Sequence, residues 1–245
     1  MSNSLAPKLV AEFIGTFAFV FIGAGAAAVI GSGAGLGGIL AVAFAHGLAI
    51  MVFAFAYGNI SGGHMNPAVT LGVLAAGAMR VGDALGYIAS QFVGGIAGAL
   101  LLRTVLGGAA TGLGMPQLAH DLVLGATTVT ITPVAGFVIE AVLAFFLLTA
   151  VLSAAVAGRA GNLAPLAIGM TVTLNIIMGG ALTGAPFNPA RALGPMVATG
   201  GFTNAWLYMT APLVGAVIAA FVHLGLTRLA HERRIIAAAA ATPAE

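Results

Sequence analysis

Six runs of about twenty apolar residues recur along the chain, near 8–30, 38–60, 83–105, 134–157, 163–182 and 205–229. A helix of that length rises about 30 Å, the thickness of a bilayer's hydrocarbon core. No water satisfies the backbone at that depth, so such runs fold as helices that pair their own N–H and C=O groups. Composition points the same way. Only 6% of the 245 residues are charged and 60% are hydrophobic, which leaves too few charges to cover a water-facing surface. The 36 glycines fit helices that pack closely in lipid, and Gly94, Gly95 and Gly98 form such a face in the third run. An all-α polytopic membrane protein is expected.

Several classes drop out. Cysteine is absent, which removes disulfides, thiol chemistry and cysteine metal sites, and no metal or cofactor is expected. A formal charge of +2 gives no reason to expect a nucleic-acid partner. No nucleophile, base and orienting group cluster in the sequence, so an enzyme is not expected. The first run, with Lys8 before it and small residues near Ala26, has the outline of a secretory signal. Five more runs follow and Glu12 lies inside it, so it reads as a retained span.

Basic residues in short loops set orientation. With the N-terminus inside, Lys8, Arg80, Arg159, Arg228, Arg233 and Arg234 lie on the cytoplasmic side and only Arg103 lies outside. Both termini are therefore expected in the cytoplasm. Residues 31–38 read as a short Gly-rich loop. Residues 106–133, with Gly107, Gly108, Gly112, Gly114 and Pro116, read as the link between two halves, and the tail from 230 as frayed.

Two further apolar stretches, 67–78 and 189–199, are only half as long as a span. Each follows the same tripeptide, Asn66-Pro67-Ala68 and Asn188-Pro189-Ala190, 122 residues apart (188 − 66). Glu12 and Glu140 repeat at a similar distance, 128 residues (140 − 12). The chain thus reads as one domain, 1–245, with internal repeats of approximately 1–115 and 125–230, each of three spans and a half-helix. An odd number of spans per repeat inverts the second copy relative to the first.

Asn-Pro-Ala is a helix-start signal. Asn is a good N-cap, because its side-chain oxygen accepts from a free N–H of the first turn, and Pro at the first helical position loses no hydrogen bond. The Asn amide N–H₂ is then left to donate outward. Two such starts in an inverted repeat can meet tip to tip at mid-membrane, where irregular backbone is tolerated only if buried in protein or lining a wet cavity.

The stretch Ser61-Gly62-Gly63-His64-Met65-Asn66-Pro67-Ala68-Val69-Thr70, together with Asn188-Pro189-Ala190-Arg191, resembles the paired signature of the aquaporin (major intrinsic protein) family. The resemblance runs over the whole chain: six spans, two glutamates, two half-helices and a long middle loop. It implies a passive water channel, a homotetramer of independently conducting subunits in a lipid bilayer, and four filter positions near the outer mouth. Aligned on the motifs, these are His46, Ile176, Ala185 and Arg191. Typical water-selective members have Phe and His where this chain has His46 and Ile176. Typical glycerol channels have Trp, Gly and Phe at the first three positions and Asp after the Arg, where this chain has Ala192. The set here is most similar to tonoplast-type aquaporins, some of which also pass ammonia, urea or peroxide.

The residues carry physical roles beside the analogy. Arg191 is a permanent charge in a membrane interior, a functional-site candidate that donates to water and repels cations. Ile176 and Ala185 by themselves would read as core; at the filter positions the resemblance implies, they would make one wall apolar. Glu12 and Glu140 invite comparison with proton-carrying acids of coupled transporters, but read better as acceptors for N–H groups of the re-entrant loops. His64 is expected to narrow the cytoplasmic vestibule. Thr171 and Asn175 share a face of the fifth span, to line a pore or to bridge helices. The chain's length and the lack of a targeting extension point to a prokaryotic cell membrane. A coupled secondary transporter and a non-conducting scaffold are the rival classes. With no cysteine to cap, mercuric chloride should leave water flux in proteoliposomes unchanged; inhibition reversed by a thiol reductant would contradict this.

Overall fold

The computed structural model describes residues 4–31 and 35–240, and their side chains except at 35, 36 and 231–240. Residues 32–34 of the expected 31–38 loop, and the side chains of Arg233 and Arg234, lie outside the described residues. Among the described residues, six helices are long and apolar enough to cross a membrane. They are α1 (Leu5–Ile30), α2 (Gly35–Ser61), α4 (Val81–Val105), α5 (Pro133–Val156), α6 (Ala164–Thr183) and α8 (Ala205–Ala240). Two short helices fall between them, α3 (Pro67–Ala75) and α7 (Pro189–Thr199). The chain is thus an all-α membrane protein with two re-entrant half-helices in an inverted repeat.

Local chemistry explains the helix ends. Proline stands in the first turn of α3, α5 and α7, and in each case the preceding Asn66, Thr132 or Asn188 caps with its side-chain oxygen. Helix α3 stops at Ala75, not at 78 as its apolar run suggests. Gly77 adopts φ +74°, donating to the Leu74 carbonyl at 2.9 Å while Ala78 donates to that of Val73 at 3.1 Å. That is the left-handed glycine stop that satisfies a helix's last carbonyls. The expected frayed tail is instead helix to Ala240. The middle loop carries two short antiparallel strands, β1 (Leu122–Leu124) and β2 (Thr127–Val129), which were not anticipated. The β-branched run Thr127–Thr130 after Gly125 was the available signal.

Packing follows the repeat. Helix α1 lies against α4 as α5 lies against α8, and each half-helix packs on the last span of the other half, α3 on α8 and α7 on α4. Helices α2 and α6 pair across the middle. The glycines of α4 serve two neighbours. A Cβ on Gly94 or Gly98 would lie 2.5 or 2.6 Å from the carbonyl oxygen of Phe13 or Phe17 in α1. One on Gly95 would lie 2.5 Å from the Ala190 oxygen at the head of α7. Backbone meets backbone there, so nothing can give. Large apolar side chains such as Leu85, Val93, Phe146, Leu174 and Phe221 stay exposed on the outer faces, where lipid replaces water.

Gly95→Leu should therefore prevent close docking of α7. Overpacking of this kind costs about 1–3 kcal/mol or more, which predicts a thermal midpoint in detergent lower by roughly 5 °C or more. An unchanged midpoint would contradict the contact.

Candidate pore and filter

The two half-helices start facing one another, and the residues before them interlock. The Asn66 oxygen accepts from Ala68 N–H at 2.8 Å; the Asn188 oxygen accepts from Ala190 and Arg191 N–H at 3.0 and 3.2 Å. The amides cross. Asn66 Nδ2 donates to the Phe187 carbonyl at 3.1 Å, and Asn188 Nδ2 to the Met65 carbonyl at 2.9 Å. This corrects the expectation that the whole N–H₂ group faces outward: one hydrogen of each amide ties the two loops together, leaving one further N–H on each amide. Met65 and Phe187 hold φ of +50° and +30°, a left-handed conformation unfavourable for residues with a side chain.

What holds that conformation is a buried carboxylate in each half. Glu12 accepts from Ser61 Oγ at 2.7 Å, His64 N at 2.9 Å, Met65 N at 2.6 Å and Gln91 Nε2 at 2.7 Å. Glu140 accepts from Thr183 Oγ1 at 2.5 Å and Phe187 N at 2.7 Å. Ser61 and Thr183 occupy matching places, each also accepting an N–H two residues on, from Gly63 and Ala185, both at 3.1 Å. Tyr87 and Tyr208 then donate to the Ser61 and Thr183 carbonyls at 2.8 and 2.9 Å.

Arg191 emerges from the first turn of α7 and is 3% exposed. Its Nε lies 3.3 Å and its Nη2 3.4 Å from His46 Nε2. A guanidinium only donates, so His46 Nε2 is the acceptor and the ring proton sits on Nδ1, which faces the Val42 carbonyl at 2.9 Å. Arg191 Nη1 is buried with no protein partner among the described residues. Ile176 and Ala185 are buried within one apolar cluster with Phe19 and Leu143. The structure thus brings His46 and Arg191 into contact and supplies an apolar group in Ile176 and Ala185.

On the other side of the Asn pair is a narrow cavity of about 10 Å³, room for about one water. Its walls include Asn66, Asn188, Gly63, His64, Val69, Val151, Ile168 and Val172. A wider cavity of about 440 Å³ opens among Lys8, Ser61, His64, Arg80, Asp83 and Tyr87. His64 borders both, its Nδ1 3.1 Å from Thr70 Oγ1 and its ring edge-on to Tyr87. Both asparagines thus face one narrow cavity with mostly apolar walls, and His64 joins it to the wider opening.

Comparison with known proteins agrees. The Major intrinsic protein family model matches residues 1–223. The chain belongs to the major intrinsic protein family. It is similar to Aquaporin TIP1-2 of Zea mays, 41% identical over 226 residues covering 89% of this chain and 85% of that protein. It is also similar to Glycerol uptake facilitator protein-like 6 of Lactiplantibacillus plantarum, 39% identical over 224 residues covering 87% of this chain and 95% of that protein. The X-ray structure of the aquaglyceroporin from Plasmodium falciparum shares the fold, with a TM-score of 0.74 at 24% identity, covering 89% of this chain and 94% of that one.

As a major intrinsic protein the chain is an integral multi-pass channel protein, of a family that is not one of enzymes. The sequence alone assigns no role to Ser61, which stands in the signature, and does not single out Thr183, Tyr87, Tyr208 or Gln91. Four of these carried a usable signal: Ser61 and Thr183 stand 122 residues apart, and Tyr87 and Tyr208 stand 121 apart, close to the Asn-Pro-Ala spacing. Gln91, facing both Glu12 and Thr70, has no counterpart to betray it, since Pro212 stands at the matching place. Asn175 bridges helices, Nδ2 donating to Leu143 O of α5 at 2.8 Å, whereas Thr171 bonds its own helix at Ala167 O.

The carboxylates give a graded prediction. A Gln at either place turns one acceptor oxygen into a donor facing donors, and each charge-assisted bond is worth about 1.5–3 kcal/mol. Glu12→Gln, with four donors facing it, should lower the thermal midpoint more than Glu140→Gln, with two. Equal losses, or a larger loss for Glu140→Gln, would contradict the cradle.

Proposed function

We propose that this major intrinsic protein is a passive water channel that excludes ions and protons, with measurable leakage of ammonia and little glycerol flux. The observation that carries this reading is the buried Arg191 donating to His46 at the head of a half-helix whose Asn cap is locked to the other half. Each half-helix start carries roughly +0.5 of a charge, and Arg191 adds a full one. A water between Asn66 and Asn188 must turn its oxygen to both, which breaks a continuous proton wire. Cations meet positive potential, and an anion would have to shed its hydration in a narrow bore.

Size and polarity set the solute range. Ala185 offers only a methyl, so the filter is wider there than one closed by a ring. Ile176 is bulkier than a glycine and keeps the opposite wall near. His46 offers a polar edge where glycerol's carbon backbone would need apolar contact. Ammonia is about the size of water and can accept from Arg191. Relatives that include a TIP aquaporin and a glycerol uptake facilitator-like protein keep the broader neutral-solute reading, including urea or peroxide, as the alternative. We further propose that 1–245 is a single channel unit built of repeats 1–115 and 125–230, that it assembles as a homotetramer, and that both termini face the cytoplasm of a prokaryotic cell. The excess of basic residues on that side supports the last point.

The test is stopped-flow light scattering on proteoliposomes with water, ammonia, urea and glycerol. Wild type should pass water fastest, ammonia measurably and glycerol slowly. His46→Phe and Ala185→Phe should each reduce ammonia flux, and Arg191→Val should keep water flux while raising the leak read by an internal pH dye. Glycerol flux equal to water flux, or ammonia flux unmoved by both substitutions, would overturn the reading.

A further inference from the structure

Helix α1 presents a widened π-helical turn, Val20–Ala24, beside the filter. Such turns change a helix's register by one residue and turn the following face. Buried within it is Gly23. A Cβ built on Gly23 would lie 2.7 Å from both Cγ and Nε2 of His46, and nearer still to Cδ2. The imidazole thus lies flat against the bare backbone of α1. Its remaining edges are also fixed. Nδ1 faces Val42 O at 2.9 Å, Nε2 accepts from Arg191, and the Phe19 ring meets it edge-on with centroids 5.3 Å apart.

We propose that Gly23 is a specificity-setting positioning residue: the side chain it lacks is the slot that seats His46 against Arg191. A substituent there overlaps three atoms of the ring, so the ring must leave α1 and its seat against Arg191 is disturbed. The residue acts through His46 and does not itself touch the permeant. The proposal rests on the filter reading of His46 given above.

The other half of the chain supports it independently. The 128-residue offset of the two glutamates places Leu147 opposite Phe19 and Val151 opposite Gly23; the 122-residue offset of the asparagines places Ile168 opposite His46. Val151 opens a second widened turn, Val151–Val156, and Leu147, Val151 and Ile168 all wall the narrow cavity. The position matching Gly23 therefore carries a branched side chain in the half whose counterpart of His46 is aliphatic, and none in the half where that counterpart is a ring held in two hydrogen bonds. Backbone flexibility does not explain the glycine, since Gly23 is absent from the positive-φ residues.

The experiment is a double-mutant cycle on Gly23→Ala, His46→Ala and the pair, reading water flux and the ammonia-to-water permeability ratio in proteoliposomes. The ratio does not depend on how much protein is folded. Gly23→Ala should lower water flux about tenfold and shift the ratio, as overpacking against a fixed ring requires. In the His46→Ala background Gly23→Ala should change neither, because the alanine leaves room. If Gly23→Ala fails to assemble, the pair should assemble. A Gly23→Ala effect of equal size in both backgrounds, no effect in wild type, or no rescue of assembly by the pair would overturn the proposal. If His46→Ala by itself leaves flux and ratio unchanged, the filter reading fails and the Gly23 proposal fails with it. A His46→Ala effect without a Gly23→Ala effect sinks the Gly23 proposal alone.

Discussion

The architecture depends on keeping two stretches of irregular backbone satisfied in the middle of a membrane. A half-helix that begins at mid-depth exposes unpaired N–H groups where no bulk water can meet them. Here they are met by two carboxylates and two asparagines. Glu12 and Glu140 take the N–H groups of Met65 and Phe187, and the Asn caps take those of the first helical turn. Crossed amide bonds then make each loop a partner of the other. Remove any of these and a polar group is left buried without a partner, which costs more than the bond itself contributed. The left-handed φ at Met65 and Phe187 is tolerated because these partners over-determine it.

The inverted repeat supplies the frame, and departures from it supply polarity along the bore. Arg191 stands where the other half has Val69, His46 where it has Ile168, Ala185 where it has Gly63. The second half consequently contributes a charged group to the Arg191–His46 hydrogen bond. The matching residues Val69, Ile168 and Gly63 instead wall the narrow cavity beside the two asparagines. The first half carries its own specialisation, the Gln91–Thr70 bond above Glu12, where Pro212 and Ala192 stand in the second.

The sequence by itself determined the six spans, the two half-helices and their inversion, because in a bilayer hydrophobic length and helix-start chemistry leave few alternatives. It also singled out the two motifs, both glutamates, Arg191 and, through the family signature, the other proposed filter positions. What it did not determine is how those groups meet. That each Asn amide reaches across to the opposite loop, that His46 offers Nε2 to Arg191, that Asn175 bridges to α5 and that Gly23 seats an imidazole are contacts between segments far apart in the chain. Residues 23 and 46, or 66 and 187, carry no local pattern that pairs them. Periodicity and capping report on neighbours within a turn or two, whereas these contacts follow from how α1, α2 and the half-helices are docked, and only the tertiary structure decides that.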